Sequence, residues 1–115
     1  MCQQSVTDVV EDWLEKSSRE DGHTTMYDVV YDEPEIAWPA ILQILERELR
    51  EEQIAVLAAG PLEDLLALHG PEFIDRVECE AARNPRFNRL LGGVWQNRML
   101  QEIWERVQKA RREVW

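Results

Sequence analysis

Apolar residues recur along this chain at spacings of three and four. They are broken by short runs of Gly, Pro, Asn or charge, and the alternation a β-strand needs never lasts. The first stripe is Val6, Val9, Val10, Trp13 and Leu14. Ser5 precedes it as an N-cap with Asp8 three residues later, which predicts a helix over about 5–18. Ser17–Thr25, SSREDGHTT, has the composition of a loop. Thr24 or Thr25 then caps a short helix carrying Met26, Tyr27, Val29 and Val30; the run VVY has strand character but nothing obvious to pair with. Asp32 is expected to cap the next helix, with Pro34 in its first turn and Ile36, Ala37, Ala40, Ile41, Ile44 and Leu45 inward. Pro39 should kink that helix or divide it in two.

Gly and Pro punctuate the chain beyond Leu45. Glu51 and Glu52 open a helix with Ile54, Leu57 and Ala58 inward, closed by Gly60. Pro61 starts another, carrying Leu62, Leu65, Leu66 and Leu68 and ended by Gly70. Pro71 starts a third, with Phe73, Ile74, Val77 and Ala81 inward. Asn84–Pro85 ends it and begins a short helix through Phe87, Leu90 and Leu91, and Gly92–Gly93 is a hinge or turn. Leu100, Ile103, Trp104, Val107, Arg111 and Val114 mark a final amphipathic helix over about 95–113. The pattern predicts an all-α fold, a compact bundle of about six or seven helices packed as helical hairpins, in one domain over 1–115. The stretch 32–82 also divides into two helix pairs of the length used by HEAT-like solenoids.

At 115 residues and 44% apolar, the chain is large enough for one real core. No apolar run approaches the ~18 residues of a membrane span. The N-terminal MCQQSVTDVVEDW lacks the basic-then-apolar order of a secretory signal, so a cytoplasmic location is expected. Cys2 and Cys79 are expected to be reduced thiols. The net charge of −10 is unevenly spread. Residues 1–80 hold 20 acidic and 5 basic side chains, a balance of −15, whereas residues 81–115 hold 3 and 8, a balance of +5. An acidic exterior favours a protein partner with a basic surface and disfavours nucleic acid.

Catalytic signatures are absent from the pattern: no Ser/His/Asp or Cys/His arrangement, no phosphate-binding Gly loop. His23, His69, Cys2 and Cys79 are scattered, and Asp21–Gly22 has too few carboxylates around it for a calcium loop, so neither metal nor cofactor is expected. Glu63, Asp64 and His69 share one predicted helix. Asp75 and Glu78 form a like-charged pair to be relieved by neighbouring Arg, and Glu80 and Arg83 an opposite-charged one. Of five Trp, Trp13 and Trp104 fall on inward faces, while Trp38, Trp95 and Trp115 sit at predicted helix boundaries or the end. Trp is over-represented in protein interfaces, so a protein-binding face is expected to draw on Glu63, Asp64, His69, Asp75, Glu78, Trp95 and Trp115. Exposure of Trp115 would equally serve a homodimer. The expected function is an acidic helical protein-interaction module. A more specific form is an acidic inhibitor, such as an immunity or phage anti-defence protein, that blocks a basic nucleic-acid-handling partner. A third reading is a small hydrolase or transferase using Glu63, His69 and Asp75.

The segments PEIAWPAILQILER, LAAGPLEDLLALHG, FIDRVECEAARNPRF and LLGGVW resemble a bacterial family of small uncharacterised helical proteins. The resemblance covers residues 34–95 and leaves out 1–33 and the end after Trp95. It implies a helical bacterial domain and adds no catalytic residue.

Overall fold

The computed structural model describes residues 5–16 and 25–115, so the predicted loop Ser17–Thr25 lies outside the described residues except for Thr25, as do Cys2 and His23. Ser5 closes the first helix as its position suggested: its hydroxyl accepts the Asp8 N–H at 3.1 Å. That helix, α1 (Val6–Lys16), is followed by α2 (Thr25–Asp32), α3 (Pro34–Leu45) and α4 (Glu51–Leu57). A π-turn (Ala58–Leu62) leads straight into α5 (Glu63–Arg83), and α6 (Pro85–Leu91) and α7 (Gln101–Ala110) complete the all-α fold. Among the described residues no strand forms.

The apolar stripes meet in one core. Val9, Val10 and Trp13 of α1 pack on α3, which contributes Ala37, Ala40, Ile41, Ile44 and Leu45. Met26, Val29 and Val30 turn α2 into the same core. Leu65, Leu66, Phe73, Ile74 and Val77 run along α5. Burying each such side chain contributes about 1.5–3 kcal/mol, so the stripes alone specify which faces turn inward. Trp38 lies within α3, not at a helix boundary; half-buried, it packs against the core edge-on to Phe87 at 5.5 Å and 6.2 Å from Phe73. Helix α7 lies along α5, and Gly70 admits it: a Cβ there would meet Ile103 at 3.0 Å.

Several predicted boundaries move. Glu33, not Asp32, is the N-cap of α3, and Pro34 occupies its first position. Pro39 sits inside a single helical segment, so α3 is not divided in two. Gly60 does not close a helix. Pro61 lacks an N–H and its ring would collide with the carbonyl four residues back. The chain answers by widening one turn, so the Glu63 N–H reaches the Ala58 carbonyl five residues away, and helical structure continues. The break predicted at Gly70 is present one residue earlier: His69, with φ of −133° and ψ of 27°, is not helical, and two helical pieces of α5 meet there across a kink, with Pro71 in the opening turn of the second. Leu68 is exposed, not inward.

The last helix is shorter than its apolar pattern, spanning Gln101–Ala110 instead of 95–113, with Leu100 as an exposed N-cap. Asn88 explains its end. This buried carboxamide donates to the Ala81 carbonyl (3.1 Å) and the Ala110 carbonyl (3.0 Å), while its oxygen accepts the Arg112 N–H (2.9 Å). The chain beyond Ala110 is extended and folds back over Gly92–Gly93. There the Trp115 N–H donates to the Gly92 carbonyl at 3.2 Å and the Trp115 indole N–H to the Arg89 carbonyl.

Both glycines are required by this return. A Cβ on Gly93 would press first on the Trp115 ring, whereas the nearest atom to one on Gly92 is the Glu113 backbone carbonyl oxygen. Gly93→Ala should therefore cost about 1–3 kcal/mol in denaturant unfolding and become nearly silent in a Trp115→Ala background, while Gly92→Ala stays costly in both.

Candidate functional site

Glu63 follows the π-turn, and the turn's extra residue resets which face of α5 each later side chain occupies. Its side chain is turned inward, with the residue only 6% exposed. One carboxylate oxygen accepts the Trp95 N–H at 2.9 Å and the other accepts Asn97 Nδ2–H at 3.1 Å. A buried carboxylate needs such partners, and here they are the backbone and side chain of the segment linking α6 to α7. Asn97 takes the left-handed conformation (φ 46°) that an Asn adopts more readily than most residues. Arg111 pins the same segment from the other side, donating to the Val94 carbonyl at 3.0 Å while lying over the Trp104 ring at 4.8 Å. The segment is thus braced twice, and it holds Trp95 with 55% of its surface in solvent.

Next to this brace, burial pushes the Asp64 carboxyl up, while Arg98, 3.9 Å away, pulls it down and the Glu63 charge raises it further. The neighbouring Tyr31 of α2, and after it Asp64, raise the Arg98 value. Tyr31 stands 5.3 Å, centroid to centroid, from Tyr27, and both rings are exposed. Of the residues expected at a binding face, Glu63, Asp64 and Trp95 come together at this end of the molecule. Glu63 is the brace behind the surface, not part of it.

The others lie elsewhere. His69 bonds through Nε2 to the Val30 carbonyl at 2.8 Å, tying the break in α5 to α2. Asp75 and Glu78 are both held by Arg106 of α7, at 2.6 Å from Asp75 and with Nε at 2.9 Å from Glu78. These hydrogen bonds, donated first to Glu78 and then to Asp75, raise the Arg106 value. Trp115 lines a separate groove of about 420 Å³ with Glu51, Glu52, Ile54, Ala55 and Arg89. Glu63, His69 and Asp75 do not converge. Each of the three is engaged with a different element: Glu63 with the α6–α7 segment, His69 with α2 and Asp75 with α7. Among the described residues no group of three or more His, Cys, Asp or Glu is placed to hold a metal ion. Cys79 is a free, exposed thiol.

Neither Asn97 nor Tyr31 was singled out from the sequence. The available signal was the doubled Tyr–Asp of YDVVYD, whose repeat of four puts Tyr27 and Tyr31 on one helix face.

Two consequences are measurable. Glu63→Ala leaves the Trp95 N–H and Asn97 amide without their acceptor and should cost about 2–3 kcal/mol, with hydrogen exchange accelerating first over 94–99. Glu80 reports on pH. Burial pushes its carboxyl up, but hydrogen bonds from Asn84 (2.9 Å) and Arg83 (2.6 Å) outweigh this and hold it below its ordinary 4.5. A lowered carboxylate stabilises above its unfolded value and loses that contribution as pH falls through the folded one. Glu80→Gln should therefore be less stable than the parent at pH 7, with the difference closing once pH drops below about 4.5.

Neither a curated protein nor a solved structure matches the chain. A family model described as a family of unknown function (DUF6869) matches residues 11–114. The match extends well beyond the 34–95 stretch of the segment resemblance, taking in most of α1, all of α2 and the C-terminal helix. By that coverage, the chain belongs to this family of unknown function.

Proposed function

We propose that the chain is a helical protein-interaction module whose contact face includes Trp95. The observation that supports this most is the doubly braced 94–99 segment. A buried carboxylate and a guanidinium are spent on fixing a loop whose most prominent side chain is an indole more than half in solvent. Leu100, 53% exposed, stands at the end of the same segment. A large aromatic held rigidly outside the core is suited to anchor a partner, because little conformational freedom is left to lose on binding.

The acidic-inhibitor form of this reading draws support from the charge pairing. Arg83, Arg98 and Arg106 of the basic C-terminal part are each taken up by carboxylates from the acidic part. Glu46, Glu48, Glu51 and Glu52 meanwhile crowd the exposed connection around the start of α4. The basic segment is thus partly spent inside the molecule, and the exterior keeps its negative excess.

Affinity capture from the native host with the parent chain and with Trp95→Ala tests the module. The variant keeps the backbone N–H that Glu63 holds, so it should fold normally, and loss of an anchor should weaken retention by about tenfold or more. Equal retention by both would rule out Trp95 as the anchor. For the inhibitor form, the retained complex should weaken sharply with added salt; a salt-insensitive complex argues against it.

A further inference from the structure

The groove beside Trp115 carries opposite charges that do not meet. It has a volume of about 420 Å³ and lies between the start of α4, which supplies Glu51, Glu52, Ile54 and Ala55, and Arg89 of α6. That volume falls within the range of small-molecule sites, about 300–1,000 Å³. A second hollow of about 200 Å³ shares Ile54 and Arg89 with the groove and continues over the buried Leu45 and Leu90, which lengthens the apolar floor. Other guanidiniums are already held: those of Arg76, Arg83 and Arg106 by carboxylates, those of Arg86 and Arg111 by backbone carbonyls. Among the described residues, by contrast, no carboxylate lies within ion-pair distance of the Arg89 side chain, and no cation within that distance of Glu51 or Glu52.

Trp115 forms a wall of this groove. Its indole lies across the glycine pair: Cδ1 and Nε1 are close to where a Gly92 Cβ would stand, and Cη2, Cζ2 and Cζ3 to where a Gly93 Cβ would. The indole N–H donates to the Arg89 carbonyl, so the aromatic wall and the cationic wall are fixed to one another. The residue keeps 46% of its surface in solvent.

We propose that the groove binds a free amino acid with a large apolar side chain. The ligand's ammonium is set toward Glu51 and Glu52 and its carboxylate toward Arg89, bridging the gap that the protein's own charges leave open. Its side chain lies against Trp115 and Ile54 and runs on toward Leu45 and Leu90. A ligand carrying only one of the two charges meets a like charge on one wall with nothing to offset it. Trp115 is part of the site, so binding and docking of the 111–115 segment favour each other. The groove is separate from the Trp95 segment, and this inference stands or falls independently of the interaction-module reading.

The test is an NMR titration of the full chain with L-phenylalanine, N-acetyl-L-phenylalanine, which lacks the ammonium, and L-phenylalaninamide, which lacks the carboxylate. The charged groups are exposed, so a Kd of about 1 mM is expected for phenylalanine. Shifts should gather at Ile54, Ala55, Arg89 and the Trp115 indole N–H. Each derivative should bind about three- to fivefold more weakly, the size of one exposed ion pair. Arg89→Gln should weaken phenylalanine by a similar factor and leave the amide no weaker, whereas Glu51→Gln/Glu52→Gln should weaken phenylalanine and leave the N-acetyl form no weaker. These are exposed side chains, so the variants should fold as the parent does. Trp115→Ala should weaken all three ligands alike, because the wall they share is gone. Shifts absent from the groove, either derivative binding as tightly as phenylalanine, or phenylalanine binding unchanged in Arg89→Gln or in Trp115→Ala would each overturn the proposal.

Discussion

Every helix that stops inside a packed protein leaves backbone groups that water no longer satisfies, and this chain stops its helices often. The solution recurs throughout: a side chain from a distant element reaches in to complete the hydrogen bond. Asp12 of α1 accepts the first N–H of α2. His69 meets the last turn of α2 at Val30, and Arg86 meets the Arg47 carbonyl beyond α3. Asn88 serves the ends of both α5 and α7, and Glu63 and Arg111 hold the segment between α6 and α7. Among the described residues no buried side-chain nitrogen or oxygen is left without a partner. The apolar stripes bring the helices together, but these long-range polar contacts decide where each one ends and how the connections between them run.

Much of the titratable chemistry is thereby absorbed into architecture. The carboxylate that looked most available on a first helical turn is the brace of a loop, and the histidine that looked like a candidate acid–base group is a bond between helices. What the structure leaves outward is aromatic and acidic: Trp95 on a fixed segment, the tyrosines of α2 beside aspartates, and Trp115 over a groove edged by Glu51 and Glu52. That division of labour, with charge inside used for shape and rings left outside, is what the proposed recognition role rests on.

The fold was legible where periodicity and capping agreed. The inward faces of α1, α3 and α5, the Ser5 cap and the Asn84–Pro85 junction follow from stripes and local chemistry. Asn84 in place accepts from the Arg86 and Phe87 N–H groups as an N-cap should. Gly60–Pro61 misled because a Gly followed by Pro usually ends a helix, whereas a widened turn also satisfies a proline's geometry and shifts the phase of the apolar stripe just as a helix boundary would. Leu100 and Val114 fit the stripe of α7 but lie outside it, since Asn88 and the glycine pair redirect the chain first. The site was harder still. That Asp64 and Trp95 are neighbours depends on Glu63 bonding across 32 residues of chain, and local pattern carries no trace of such a pairing.

The widened turn at Ala58–Leu62 amounts to an α-helix bearing one residue more than a regular ladder would use. Deleting a single residue there would swing every side chain that follows by ~100° about the rod and carry the buried edge of α5 out toward solvent.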